Sequence, residues 1–596
     1  MRVRFRYLAW LLGVALVGTL LAGVGVPATA QGGDSLVTVG SPSSPFSQNK
    51  QNEPAVAIDP ANPSVVVAGA NDNIDLEACN AGDDTTCPFT DGVGVSGVYF
   101  SFDSGHTWTQ PTYTGFSARN CLGTVGPDPG CVPQENGPIG TIPNYFENGL
   151  VSDGDPALAF GPVPGPNGFS WANGSRLYYA NLTSNFPGTQ TFKGFEAMAV
   201  SYTDDVAAAA AGDNGAWSDP VIVTKQSSTT FSDKEQIWAD NASSSPFFGN
   251  VYVCLASFRS LSGGLAAPQP LLVGTSRDGG RTWTLKQVTS ASNNPFNTKQ
   301  GFGRSGCTIR TDSHGVVYVV ANQFAVGTPG HGAHILVRSF DGGKSWTRPQ
   351  VIAQATDTCF FVDPVLGRCV MDGIAGARDD LSSAPSLSIA NGAPAGSGAT
   401  DVVYDAWVDG SSGSAGPPVD NTTRIKLMWS SDGGDSWSSP IDVPIATGDR
   451  PYYAAVALSP DGTEAYLVYN AFTTPFRDNT SDPRGLVGVV LHADVAPDGT
   501  PSNWTEIHRG AEGDPRASSQ NNLVGGFLGD YVYAAATNDF GVAVWNDVRN
   551  GADCPAMDAW RASLRGIGPA VPKPAPQQDC PATWGNSDIF GFTTAP

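Results

Sequence analysis

Four segments of this chain repeat one pattern, S-x-D-x-G-x-x-W. They run from Ser101 to Trp108, Ser276 to Trp283, Ser339 to Trp346 and Ser430 to Trp437. The fixed carboxylates are Asp103, Asp278, Asp341 and Asp432. Each residue type has a task in a tight turn. Asp accepts hydrogen bonds from turn amides, Gly tolerates positive φ, and Trp lays an apolar ring on a neighbouring sheet. Alternating apolar runs precede the pattern, as in Gly97-Val-Tyr-Phe-Ser101 and Ile335-Leu-Val-Arg-Ser339. A hairpin motif repeated along one chain points to a repeat architecture.

A looser motif supplies the count. It is an apolar run followed by a turn and a second strand rich in Val and Tyr. It begins at Glu53-Pro54, Asp155-Pro156, Gln236, Gly306, Pro385, Pro451 and Tyr531. Units one, three, four and five then reach a complete S-x-D-x-G-x-x-W turn. Units two and six end in eroded versions at Trp217 and Trp504, the former interrupted by the Ala207–Ala211 tract. Composition agrees: 71 Gly and 46 Pro among 596 residues exclude a mostly helical chain. With 40% apolar residues and 14 Trp it is not disordered. The expected fold class is all-β, a single seven-bladed β-propeller, with six blades plus an extra strand pair as the competing count. Units spaced roughly 65–100 residues apart exceed a bare blade of ~40–50, so loops are loaded with insertions. The ring is expected to close by pairing Ser35–Val39 with a final strand at Asp588–Phe592.

Residues 1–30 read as a secretory signal: Arg2, Arg4 and Arg6, an apolar run from Leu8, and Ala28-Thr29-Ala30 for cleavage. The mature propeller would be 31–596, secreted, a monomer, and free of the membrane after cleavage. Its ten cysteines would then oxidise. Local pairs are Cys79/Cys87, Cys121/Cys131, Cys359/Cys369 and Cys554/Cys580, with Cys254 and Cys307 left to join neighbouring sheets. No C-x-x-C occurs, so a metal role is disfavoured. The net charge of −23 opposes nucleic-acid or anionic-membrane partners, which need clustered cations.

The four turns on a secreted multi-bladed ring resemble the Asp boxes of the sialidase superfamily, the bacterial neuraminidase repeat proteins. Asp233-Lys-Glu-Gln-Ile-Trp238 and Gly529-Asp-Tyr531 with Trp545-Asn-Asp547-Val-Arg549 are similar to blades of secreted sialidase-like proteins. The resemblance implies an extracellular glycan or glycoconjugate as partner and exo-α-sialidase-like hydrolysis at one channel mouth. In that family three Arg hold the substrate carboxylate, a Tyr assisted by Glu is the nucleophile, and an Asp is acid/base. The family's leading Phe/Tyr-Arg-Ile-Pro is replaced here by Gln51-Asn52-Glu53-Pro54, which has no Arg. The alternative reading is a non-catalytic propeller that binds glycan or protein.

Strand alternation places the starts of the inner strands around one mouth and the Asp boxes at the other. The candidate catalytic residues are therefore Asp155, Glu235, Asp530 and Tyr531. Two carboxyls must flank a scissile glycosidic bond, or a Tyr must replace one. Candidate substrate-binding residues are Glu53, Arg304, Arg450, Arg259 and Arg549. Arg is favoured because its guanidinium forks onto a carboxylate. Against this stands a structural role, in which Asp and Arg at blade starts pair across blades.

No cofactor is expected. Asp72, Asp75, Asp83 and Asp84 could gather a structural Ca²⁺, against which a solvated acidic loop is the plainer reading. His331 and His334 read as loop residues without a third ligand. Gly301-Phe-Gly303-Arg-Ser-Gly306 leads into a strand, so it does not cradle a dinucleotide.

Overall fold

The computed structural model describes residues 33–40, 50–77, 90–121, 132–224, 227–258, 269–290, 302–325, 331–358, 361–370, 372, 383–411, 422–519 and 523–596. The leader, Arg259, Asp83, Asp84, Cys79, Cys87, Cys131 and Cys359 lie outside them.

Seven antiparallel sheets form the seven blades of a β-propeller. Their inner strands are Gln51–Ile58, Ala157–Gly165, Phe231–Ala239, Phe302–Thr311, Ser386–Ile389, Arg450–Leu458 and Tyr533–Ala536. Each packs beside the next, and the seventh packs beside the first, so the ring is closed. Closure uses the first strand: Ser35 pairs with Gly591 and Leu36 with Phe590, as the sequence suggested. Blade 1 has three strands, with Thr109 bridging Phe100 where a fourth would lie. In blade 2 a helix at Val206–Ala210, capped by Asp205, interrupts the path to Trp217. The core is repeated between blades, for example where Tyr404 and Leu427 of blade 5 meet Tyr469 and Leu491 of blade 6.

The four repeat turns share one hydrogen-bond scheme. In blade 4, Ser345 N and Gly343 N donate to Asp341 Oδ1 and Ser339 Oγ at 2.8 and 2.9 Å. Gly343 sits at φ 79°, where a side chain would be strained. Trp108 is buried, and Trp283, Trp346 and Trp437 pack half-buried on neighbouring cores. Ser104 N donates to Ser64 O at 3.0 Å, which puts this turn beside the end of the inner strand rather than its start.

Cys254 and Cys307 form a disulfide between blades 3 and 4, and Cys554–Cys580 clips the helical insertion before the final strand. Cys121 and Cys369 are also disulfide-bonded. Among the described residues no helix is long and apolar enough to cross a membrane.

Candidate functional site

The inner strands are irregular at one common level. The register slips between Asn52 and Ala55, Asp233 and Gln236, Ser305 and Thr308, and Pro451 and Ala454. In blade 2 the strand breaks outright between Ser152 and Ala157. Such bulges re-aim side chains. Glu53, Asp155 and Lys234 occupy them at φ 56°, 49° and 59°, a region non-glycine residues seldom visit. Backbone strain held by surrounding structure marks functional positions more often than plain packing does.

The result is one cation ringed by carboxylates. Lys234 Nζ lies 2.8 Å from Asp530 Oδ2, 3.1 Å from Asp155 Oδ2, 3.7 Å from Asp233 Oδ1 and 3.9 Å from Glu53 Oε1. Its side chain is 11% exposed. Asn71 ties the cluster together: Nδ2 donates to Glu53 Oε2 at 2.6 Å, and Oδ1 accepts from Asp155 N at 2.6 Å. Asp530 N donates to Glu53 Oε1 at 2.9 Å, and Tyr453 donates to Asp530 Oδ1 at 3.1 Å. Blades 1, 2, 3, 6 and 7 all contribute.

The protonation states diverge. Burial, reinforced by the Asp155 charge, holds the Glu53 carboxyl well above the usual range. Burial also works against ionised Asp155, but Lys234 and a hydrogen bond from Glu53 overcome it and leave that pKa below the ordinary value. Burial moves Asp233 up to about 6 despite Lys234. Glu235 is raised well above its ordinary value by burial and by the charges of Asp155 and Asp233. Lys234 loses solvation but gains more from Asp155, Asp233 and Asp530, so it stays charged.

A cavity of about 50 Å³ adjoins the cluster, lined by Lys234, Glu235, Tyr453, Asp530 and Tyr531 among others. Neither Glu235 carboxylate oxygen nor the Tyr531 hydroxyl hydrogen-bonds another described residue, although all three atoms are buried. Lys234 Nζ stands 5.2 Å from the Tyr531 ring centroid. Buried polar atoms are nearly always paired, so these atoms keep hydrogen-bonding capacity to spare.

All four candidate catalytic residues, with Glu53, are therefore brought to one mouth. The arginines are placed otherwise. Arg450 Nη2 pairs with Asp372 at 3.0 Å, and its Nε donates to Thr474 O at 3.0 Å. Arg549 pairs with Asp547 and Asp34, each at 2.7 Å, and stacks 3.9 Å from the Phe590 centroid, tying blade 7 to the first strand. Arg304 Nη1 donates to Ser290 O at 3.1 Å, and burial lowers its pKa.

Asp72 and Asp75 do not form part of an open cation cage. Asp72 accepts from Gln51, Tyr99, Gln110 and Ile74 N, and Asp75 from Arg119, Thr141 and Gly140 N. They are buried anchors, not a solvated loop. His331 is not a loop residue either, since it opens the strand His331–Ser339, and neither is His334. His334 lies on that strand, fully buried, with Nδ1 2.7 Å from Asp405 Oδ2 and Nε2 2.8 Å from Ser383 O. An alternating strand can bury a His whose partner is 71 residues away, and local spacing carries no trace of that. Lys234, next to the candidate Glu235 in sequence, was given no role of its own by sequence reasoning. Its central position depends on the positive φ, which no residue-type preference signals.

The residues so assembled define a seven-bladed propeller with a buried acid–lysine–tyrosine centre at one mouth. No family model and no curated protein matches the sequence. Solved structures do match. A Hadza microbial sialidase is 13% identical over 70% of this chain and 63% of its own, less than two thirds of its length, with a TM-score of 0.36. Trypanosoma rangeli sialidase is 13% identical over 84% of this chain and 70% of its own, at 0.36. The α-L-arabinofuranosidase Arb93A from Fusarium graminearum is 10% identical over 82% and 98%, at 0.37. At such identities and scores the likeness lends this chain no residue assignment.

Proposed function

We propose that this protein is a secreted propeller that acts on extracellular glycans as an exo-glycosidase at the carboxylate-lined mouth. The observation carrying this reading is the gathering of Glu53, Asp155, Lys234 and Asp530 beside Tyr531, whose buried hydroxyl bonds no other described residue, at one cavity. Glycoside cleavage needs carboxyls in opposite protonation states. Glu53 and Glu235 supply protonated carboxyls, and Asp155 supplies an ionised one. In this reading Tyr531 takes the part of the second carboxylate as nucleophile. Burial raises its phenol well above 10, so a carboxylate must take the proton as the bond forms.

A second reading, a non-catalytic glycan- or protein-binding ring, is favoured by the arginines. Arg450 and Arg549 are engaged by Asp372, Asp547 and Asp34, which works against a bidentate clamp on a sugar carboxylate. The test is release of a fluorogenic aglycone from sialosides and uronides by the native protein, Tyr531→Phe and Asp155→Asn. Loss of an acid/base group typically costs ~10²–10⁴-fold in rate, so both variants should fall by at least ~100-fold, with Tyr531→Phe, which breaks no ion pair, melting like the native protein. Background signal from all three would sink the hydrolase and leave glycan-array binding to test the other reading.

A further inference from the structure

We infer that the central channel holds a second ligand site, centred on Arg310, for a small aryl carboxylate entering from the rim that carries the repeat turns. Below the carboxylate cluster the channel widens to a chamber of about 220 Å³. Its walls are the inner strands, with Ile58, Phe160, Trp238, Ile389 and Leu458 among the lining residues, and its rim is formed by turns at Pro60, Pro460 and Asn538. Arg310 lines both this chamber and the smaller cavity above, so its side chain stands between them.

Arg310 differs from the ion-paired arginines of the fold. Arg176, Arg484, Arg516, Arg549 and Arg565 all lie against carboxylates. Arg310 has none within ion-pairing distance among the described residues, although the chain holds 55 acidic residues against 32 Lys and Arg. Nη1 donates to Gln236 Oε1 at 3.0 Å and to Ile309 O at 2.7 Å, while Nε and Nη2 donate to no described residue. The guanidinium lies 4.7 Å from the Trp238 ring centroid, and Trp238 is itself fixed by a 2.9 Å hydrogen bond from Nε1 to Thr311 Oγ1. A half-buried guanidinium set over an indole ring, with two donor nitrogens unspent, is a ready anion fork.

The chamber sets the rest of the ligand. Among the described residues its only charged lining ones are Arg310 and the exposed Asp539 at the rim. An apolar cavity of ~150 Å³ admits benzene, so this volume suits one substituted ring. Entry from the upper mouth is opposed by Asp155, Asp233 and Asp530 around Lys234, which leaves the lower rim.

The test is ¹⁹F NMR titration of the full chain with 4-fluorophenylacetate, with 4-fluorobenzyl alcohol as neutral control. Saturable binding of the carboxylate is expected. Arg310→Gln should weaken it by at least ~10-fold, the scale of one charge-assisted hydrogen bond, and Arg310→Lys should weaken it less. The alcohol should bind more weakly and ignore both changes. Leu458→Trp, which fills the chamber, should abolish binding and keeps the test decisive where Arg310→Gln fails to fold. Tyr531→Phe should have no effect, which separates this site from the glycosidase reading. No saturable binding, equal affinity in Arg310→Gln, or equal affinity for the alcohol overturns the inference.

Discussion

Lys234 shows how much one side chain can organise. It balances Asp155, Asp233 and Asp530, with Glu53 at 3.9 Å, inside a channel where water solvates none of them well. Removing one partner of a buried ion cluster costs about 3–5 kcal/mol, because the charges left behind are uncompensated. Lys234→Met should lose that much at pH 8 and much less at pH 5, where the orphaned carboxyls accept protons. Urea unfolding at the two pH values checks this, and an equal loss at both would refute it. The native protein should show the same sign. A carboxyl with a higher pKa folded than unfolded keeps its proton longer in the fold. Stability is then greatest below the unfolded value and falls as pH rises through the folded one. Asp233 at about 6 and Asp153, raised by burial to about 7, are of this kind. On the acid side the turn carboxylates act oppositely: hydrogen bonds from Ser436 pull Asp432 down to about 2, so its contribution is lost below pH 4. The melting temperature should therefore peak near pH 4–5 and fall by several degrees toward pH 8, with a shallower fall in Asp153→Asn. A flat profile would contradict these assignments.

At the scale of elements, the blades were legible because their signals are local. The turn chemistry of S-x-D-x-G-x-x-W and the strand alternation act over fewer than ten residues, and both survive in the fold. The site was half legible. Glu53, Asp155, Glu235, Asp530 and Tyr531 were found from their place before each inner strand, and the ring does gather them. Arg450 was misplaced as a candidate clamp because its partner, Asp372, comes from a different loop with no pattern linking them. Arg310 passed as an ordinary strand residue, since only a closed ring shows that it faces a channel. Cysteine pairing lies between these cases. Cys254 and Cys307 are 53 residues apart, and strand-like surroundings alone suggested a tie between sheets. Closing a loop of that length typically contributes about 2–4 kcal/mol. The double substitution Cys254→Ala/Cys307→Ala should lower unfolding stability by that amount. Blade 4 amides should exchange hydrogen faster than those of blade 7, which keeps its own Cys554–Cys580 link. Uniform exchange across the ring would mean the disulfide does not hold blades 3 and 4 together.

On the scale of the whole molecule, a ring has no free edge only if its ends meet. Here they meet through a very short strand, Ser35–Leu36, on Asp588–Thr593. Side chains extend the contact. Asp34 accepts from Arg549, and Ser35 Oγ accepts from Trp108 Nε1 at 3.1 Å, joining the closing strand to the turn of blade 1. Val37 is fully buried between blades 7 and 1, with its N–H donating to Ile589 O at 2.9 Å. Deleting residues 1–40 would expose the 588–593 edge, and exposed edges pair with other chains. Losing the burial of Val37 and part of Leu36 costs roughly 3 kcal/mol, at ~1.5–3 kcal/mol for a fully buried side chain. The truncated protein should unfold at lower urea and self-associate on a sizing column, whereas Asp34→Asn, which removes only the Arg549 anchor, should stay monomeric with a smaller loss. A truncated chain as stable and as monodisperse as the 31–596 protein would show that the final blade closes without its borrowed strand.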